Sequence, residues 1–195
     1  EEKRIESTLR FSPKTYSVSL LLLSAVGFLM SLNYTIAYQP AFFILASKLG
    51  VGANILFIMF LLIYIISSGF AYLSGGWMER MGRKNLLSLS TFLIGLSVIF
   101  YIFSYDAISL FIVMNIVAVS YYVFRIAYKT VLFDTTSRNK RGEQIGFVKT
   151  VQGMGDVIGP VLGGMMVDFV SLNSAFILAG IFGIIAGLFV LVSGK

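Results

Sequence analysis

Long apolar runs alternate with short charged or glycine-bearing breaks along this chain. After a polar start, EEKRIESTLRFSPKT, apolar runs cover Val18 to Tyr38, Asn54 to Ser74, Leu86 to Tyr105, Ala107 to Ala127, Ile145 to Val167 and Leu172 to Val192. A helix needs about 20 apolar residues to cross the hydrocarbon of a bilayer, and each run is long enough. The pattern therefore predicts six transmembrane spans. Residues 1–16 read as a cytoplasmic leader or linker and residues 17–195 as the bundle. The N-terminal stretch leads into a run long enough to span, unlike the short core of a secretory signal.

Composition agrees with an all-α membrane protein: 57% of the 195 residues are hydrophobic and 12% charged, and the mean hydropathy is +0.89. Those values lie outside the range of soluble domains. The chain has neither Cys nor His, so disulfides, thiolate ligands and the usual zinc and general-base constellations are excluded. No metal, cofactor or catalytic residue is expected. The sequence does not begin with Met, which reads as a piece of something longer.

Net charge is +6, and its placement predicts orientation. Fourteen Lys and Arg residues fall at the termini and the loops on one side, whereas the other side holds only Lys48. Cytoplasmic loops collect such residues, so both termini are placed inside, in a plasma membrane. The cations face solvent and lipid headgroups. They are spread over several loops with no recognition fold, so nucleic acid is not an expected partner.

Polar side chains divide the spans. The sixth carries none from Ala175 onward and the third only hydroxyls, so both are expected to face lipid. The first, fourth and fifth carry Asn33, Tyr34, Thr35 and Tyr38, then Asn115 and Ser120 to Tyr122, then Thr150, Gln152 and Asp156. Polar groups in hydrocarbon are costly unless paired or facing a wet cavity. Asn33, Tyr34, Tyr38, Asn115, Tyr121 and Gln152 are thus expected to line an interior, with helix-to-helix hydrogen bonding as the other reading. Asp156 lies about 17 Å from either end of its span at the usual helical rise. An acid there costs roughly 2.5 to 3.5 kcal/mol on insertion scales, which makes it the candidate for proton exchange or substrate pairing.

Between the second and third spans stands SGGWMERMGRKN. From Gly75 it reads G-G-W-M-E-R-M-G-R-K, which resembles the loop G-x-L-x-D-R-x-G-R-R/K of the major facilitator superfamily, with Glu79 for Asp and Trp77 for Leu. Glycines at such a reversal permit close approach and unusual torsions. The resemblance implies a cytoplasmic latch of Gly75, Glu79, Arg80, Gly82, Arg83 and Lys84, with Asp134 as the partner of Arg83 and Arg141 as part of an R-G step. In the fifth span, Gly155 to Gly164 resembles the family's antiporter signature G-x-x-x-G-P-x-x-G-G. Gly155, Gly159 and Gly163 share one helix face, Pro160 is expected to bend the helix, and Gly164 completes the motif. The arginine that the family's antiporters often carry inside helix four is not matched, because Arg125 and Lys129 read as interface residues whose charged ends reach the headgroups.

The resemblance implies a transporter of a small solute working by alternating access, by proton-coupled efflux or uptake. Six helices are half of the family's fold, built as two three-helix inverted repeats. A second half is then required: covalent, homodimeric or heterologous. The leader resembles the linker that precedes a second half, although the antiporter signature belongs usually to a first. Two other readings stand beside this one. A receptor or assembly subunit would keep the fold without transport. Gly153 to Asp156 and Tyr105-Asp106 also spell the G-x-G-D and Y-D of intramembrane aspartyl proteases, whose chemistry requires two carboxylates at one depth.

Overall fold

A computed structural model describes residues 17–192. The leader assigned to residues 1–16 therefore lies outside the described residues. Among those described, the chain is helical with no strand: α1 (Val18–Ile36), α2 (Phe42–Lys48), α3 (Ala53–Met81), α4 (Arg83–Ile99), α5 (Ala107–Thr135), α6 (Arg141–Phe169) and α7 (Leu172–Val192). Spans two to six of the sequence correspond to α3 to α7. Span one corresponds to α1 and α2 together, joined by a π-helical turn, Ala37–Ala41.

The first span was expected to stop at Tyr38 and instead runs to Lys48. Its continuation turns on Pro40, which has no N–H to donate and would crowd a regular α turn. One wider turn absorbs the ring and the helix resumes. The second, fourth and fifth spans also extend beyond their expected bounds, because hydropathy marks the apolar stretch and not the helix around it, whereas the third ends at Phe103 and the sixth keeps its bounds. Five of the long segments are apolar enough to cross a membrane. The exception is α6, equally long at 29 residues, with Lys149, Gln152, Asp156 and a series of glycines along it.

Local signals begin and end these helices. The Ser17 hydroxyl accepts the Leu20 N–H at 3.2 Å, and Asp106 forms a capping box with Ser109 at the start of α5. Gly82 has φ 85° and ψ 147°, and it alone separates α3 from α4. Gly75, Gly76, Glu79 and Arg80 therefore lie on a continuous helix, which corrects the expectation of a multi-residue loop. Side chains built at Gly75 or Gly76 would meet nothing within 4 Å, so neither glycine permits a close approach. Of these three glycines, Gly82 is the one that needs its backbone freedom, being in a region that side chains disfavour.

Packing runs in a series: α3 on α5, α5 on α4, α4 on α7, α7 on α1 and α1 on α6. Exchanging α1 with α5, α3 with α6 and α4 with α7 maps this series onto itself. At its two ends, α3 and α6 keep broad exposed apolar faces, including Phe57, Ile58, Leu61 and Ile65 on one and Val157, Val161 and Met165 on the other.

Spans three and six do not simply face lipid, as their apolar sequences had implied. Each turns one side outward, but α4 and α7 are pressed together through glycine. A Cβ on Gly183 would come within 2.7 Å of Gly95 Cα, and one on Gly95 within 2.7 Å of the Ile184 backbone N. Lipid tails are as apolar as leucine, so close backbone contact replaces hydrophobic burial as the adhesive.

The second seam joins α6 to α1. Gly155, Gly159 and Gly163 face Ser31, Thr35 and Ile36, and a Cβ at Gly163 would reach within 2.9 Å of Pro40 Cγ. Gly164 points into open space and takes no part in this contact, contrary to its place in the motif. Pro160 is accommodated within an unbroken α6.

Gly183→Ala is expected to destabilise the protein by about 1 to 3 kcal/mol through overpacking. Gly69→Ala, in an open site on α3, should instead gain up to about 1 kcal/mol in helix propensity. Thermal unfolding of the two variants in detergent tests both; equal effects would contradict the seam.

Candidate functional site

Four helices enclose a cavity of about 400 Å³, within the range of sites that hold drug-sized molecules. From α1 it receives Gly27, Met30, Ser31 and Tyr34, and from the π-helical turn after it Tyr38; from α3, Phe60, Ile63 and Tyr64. From α5 come Met114, Ala118, Tyr121, Tyr122, Phe124, Arg125, Tyr128 and Lys129, and from α6, Lys149, Gln152 and Asp156.

Helical spacing puts these residues on single faces. Gly27, Ser31, Tyr34 and Tyr38 recur at intervals of four, three and four, as neighbours on one side of a helix do. The missing side chain at Gly27 makes room for Gln152 and Tyr128, since a Cβ there would lie 2.6 Å from Gln152 Nε2. Tyr128 is tied across the helices by donating to the Leu23 carbonyl at 3.0 Å.

Tyrosines form the deeper wall. The Tyr34 ring stacks on Tyr38 with centroids 4.9 Å apart and lies 5.0 Å from Tyr121, and Tyr64 meets Tyr122 edge-on at 6.3 Å. The Tyr38 ring in turn packs with Phe42 and Tyr101, and the Tyr101 hydroxyl donates to that of Tyr38 at 3.3 Å.

Asp156 stands in the middle of α6 and accepts a hydrogen bond from the Ser31 hydroxyl. Its side chain is exposed to the cavity space and not enclosed by the protein. The glycine face of α6 is the packed one, and Asp156 lies off it.

Two of the six predicted lining residues are elsewhere. Asn33 is 1% exposed and donates to the Ala179 carbonyl at 2.7 Å, joining α1 to α7. Asn115 donates to Phe111 one turn back on its own helix. Tyr34, Tyr38, Tyr121 and Gln152 do line the cavity.

Arg125 and Lys129 also line it, together with Lys149, although the sequence had assigned the first two to the membrane interface. Their signal was the spacing: Tyr121, Arg125 and Lys129 are four apart, and Lys149, Gln152 and Asp156 follow one face of α6. Lys149 Nζ donates to Gln152 Oε1 at 2.8 Å.

At the helix ends, Arg83 Nη1 pairs with Asp134 Oδ2 at 2.5 Å, joining the start of α4 to the end of α5. Glu79 and Arg80 have no ion pair among the described residues. Lys84 borders a groove beside Asp134. Arg141 is not at this junction: it donates to Thr136 and Phe133 and lies over the Phe133 ring, securing the turn before α6.

Asp106 is committed to the start of α5, where Ser109, through its side chain and its backbone N–H, holds the carboxyl below the ordinary Asp range. It and Asp156 thus serve different partners, and no shared-proton dyad results.

The sequence profile described as Major Facilitator Superfamily matches residues 10–194. The chain belongs to this superfamily. Its members are transporters and not enzymes, and the apolar helices make this chain an integral membrane protein of the transporter type. No curated protein matches it.

Both partners of the Arg83–Asp134 pair are about half exposed, at 55% and 50%. A double-mutant cycle with Arg83→Ala and Asp134→Ala should give a coupling of about 0.2 to 1 kcal/mol that shrinks at high salt. A coupling several times larger would show that the fold itself rests on the pair.

Proposed function

We propose that this chain is one six-helix half of a secondary transporter that moves a small solute by alternating access, with protons coupled through Asp156. The observation that carries this reading is the placement of that carboxylate. It lies about 22 Å along α6 from Arg141 at ~1.5 Å per residue, midway through the helix, inside a cavity and against a hydroxyl. An ionised carboxylate only accepts hydrogen bonds, whereas a protonated one also donates. Gain or loss of a proton therefore changes what Asp156 can hold.

The rest of the mechanism follows from the packing. In this reading α6 crosses the membrane as the fifth span despite its polarity, because its polar residues face the cavity. The exchange symmetry of the helix contacts supports two three-helix repeats of inverted topology. The exposed apolar faces of α3 and α6 support a second half meeting the bundle there, as a covalent continuation, a second copy or another chain. Gly82 and the exposed Arg83–Asp134 pair act as the latch, since a half-solvated ion pair breaks at little cost. The bias of Lys and Arg supports termini on the cytoplasmic side of a plasma membrane.

In proteoliposomes carrying an internal pH dye, solute-driven proton flux should be lost in Asp156→Asn. Unchanged uptake with unchanged pH dependence would remove Asp156 from the mechanism. Sidedness has its own check, made clean by the absence of native cysteine. Lys84→Cys should react with impermeant reagent only from inside and Lys48→Cys only from outside.

A further inference from the structure

The cavity's charge does not match a cationic solute. Three cations, Arg125, Lys129 and Lys149, share it with a single carboxylate. Among the described residues none of the three pairs with an acid: the hydrogen bond of Lys149 goes to the neutral Gln152, and that of Asp156 comes from the neutral Ser31. All three cationic residues are exposed and line the cavity.

Depth separates charge from apolar surface. Counted from the Thr135 and Arg141 ends at the usual helical rise, Lys129 lies about 9 Å in, Lys149 about 12 Å and Arg125 about 15 Å. Tyr121 and Asp156 lie deeper, at about 21 and 22 Å by the same rise, where the Tyr34 ring stands 5.0 Å from that of Tyr121.

We propose that the cavity takes an amphipathic organic anion, its carboxylate or similar head held by Arg125, Lys129 and Lys149 and its flat apolar body laid against Tyr34 and Tyr121. The assignment rests on reading the cavity as a solute site and deepens it by naming the substrate class. Unpaired cations within spanning helices are costly, and a counter-ion supplied by the solute offsets that cost. Arg125 offers the planar fork that matches a carboxylate, and the two lysines act as point charges beside it. Asp156, deeper in, repels a second anionic group and so fixes which end of the solute enters first. A dianion with charge at both ends is therefore disfavoured.

Binding to the purified protein is measured with three probes of one shape: 2-naphthoate, 2-naphthamide and 2-naphthylmethylammonium. Naphthoate should bind at least about tenfold tighter than the ammonium, and Arg125→Gln or Lys149→Gln should each weaken naphthoate by about tenfold while leaving the amide unmoved. Arg125→Lys, which keeps the charge but loses the fork, should bind naphthoate with an affinity between those of the native protein and Arg125→Gln, and guards against a folding defect. Two results overturn the assignment: the ammonium binding as tightly as the carboxylate, or naphthoate affinity indifferent to both glutamine variants. If the ammonium wins and depends on Asp156, the cavity remains a solute site and only its anion preference falls. If none of the three binds, both readings fall together.

Discussion

Helices inside a bilayer gain nothing from hiding apolar side chains from lipid, so they adhere only where backbones come close enough for many short contacts. Everything else in this bundle depends on two seams built to that requirement. One joins α4 to α7 through Gly95, Gly180 and Gly183, and the other lays the Gly155, Gly159 and Gly163 face of α6 on α1. Because α1 is held by α6 on one side and by α7 on the other, its remaining face, Gly27, Ser31, Tyr34 and Tyr38, turns toward α3 and α5. The cavity is the space left by that arrangement, and the seams fix which residues see it.

Electrostatics then decides what the space is suited to. Charged groups within spanning helices persist where they face water or a partner, and here four of them converge from α5 and α6. The cations sit toward the end of the bundle that carries the Arg83–Asp134 pair, and the carboxylate sits deeper, beside the tyrosines. Beyond the tyrosines, Phe42, Tyr101 and Phe176 are fully buried and packed ring to ring. A wet, charged region thus grades into an aromatic one and then into closely packed aromatic rings. In the transport cycle proposed above, that last layer loosens while the charged end closes. In that proposal the single-residue break at Gly82 and the half-solvated ion pair beside it are the parts that give way.

Much of this was legible in the chain. Six apolar runs, the glycines at four-residue spacing and the acid in the fifth run follow from composition and helical geometry alone. The partnership of Arg83 with Asp134 came from a resemblance, and geometry places the two side chains together. What the sequence hid depends on rotation about each helix axis. Asn33 and Tyr34 are adjacent in sequence yet belong to different environments, one bonded to Ala179 and the other facing the cavity, and a count of polar residues per span cannot separate them. Arg125 and Lys129 were read as headgroup contacts because distance from the end of a span carries no information about which way a side chain turns. Pro40 and the Gly75-Gly76 pair illustrate a further blind spot: residues that usually end helices lie within continuous helical segments, Pro40 in a π turn and the two glycines in α3.

The most direct test of this geometry compares two neighbours on α1. Tyr34 is 38% exposed and Asn33 is 1% exposed, and the chain has no native cysteine to confuse the result. In an otherwise intact protein, Tyr34→Cys should react readily with a small water-soluble thiol reagent, and Asn33→Cys should stay unmodified under the same conditions. Equal labelling of the two, or faster labelling at position 33, would contradict a cavity walled by one face of α1 and the seams that put it there.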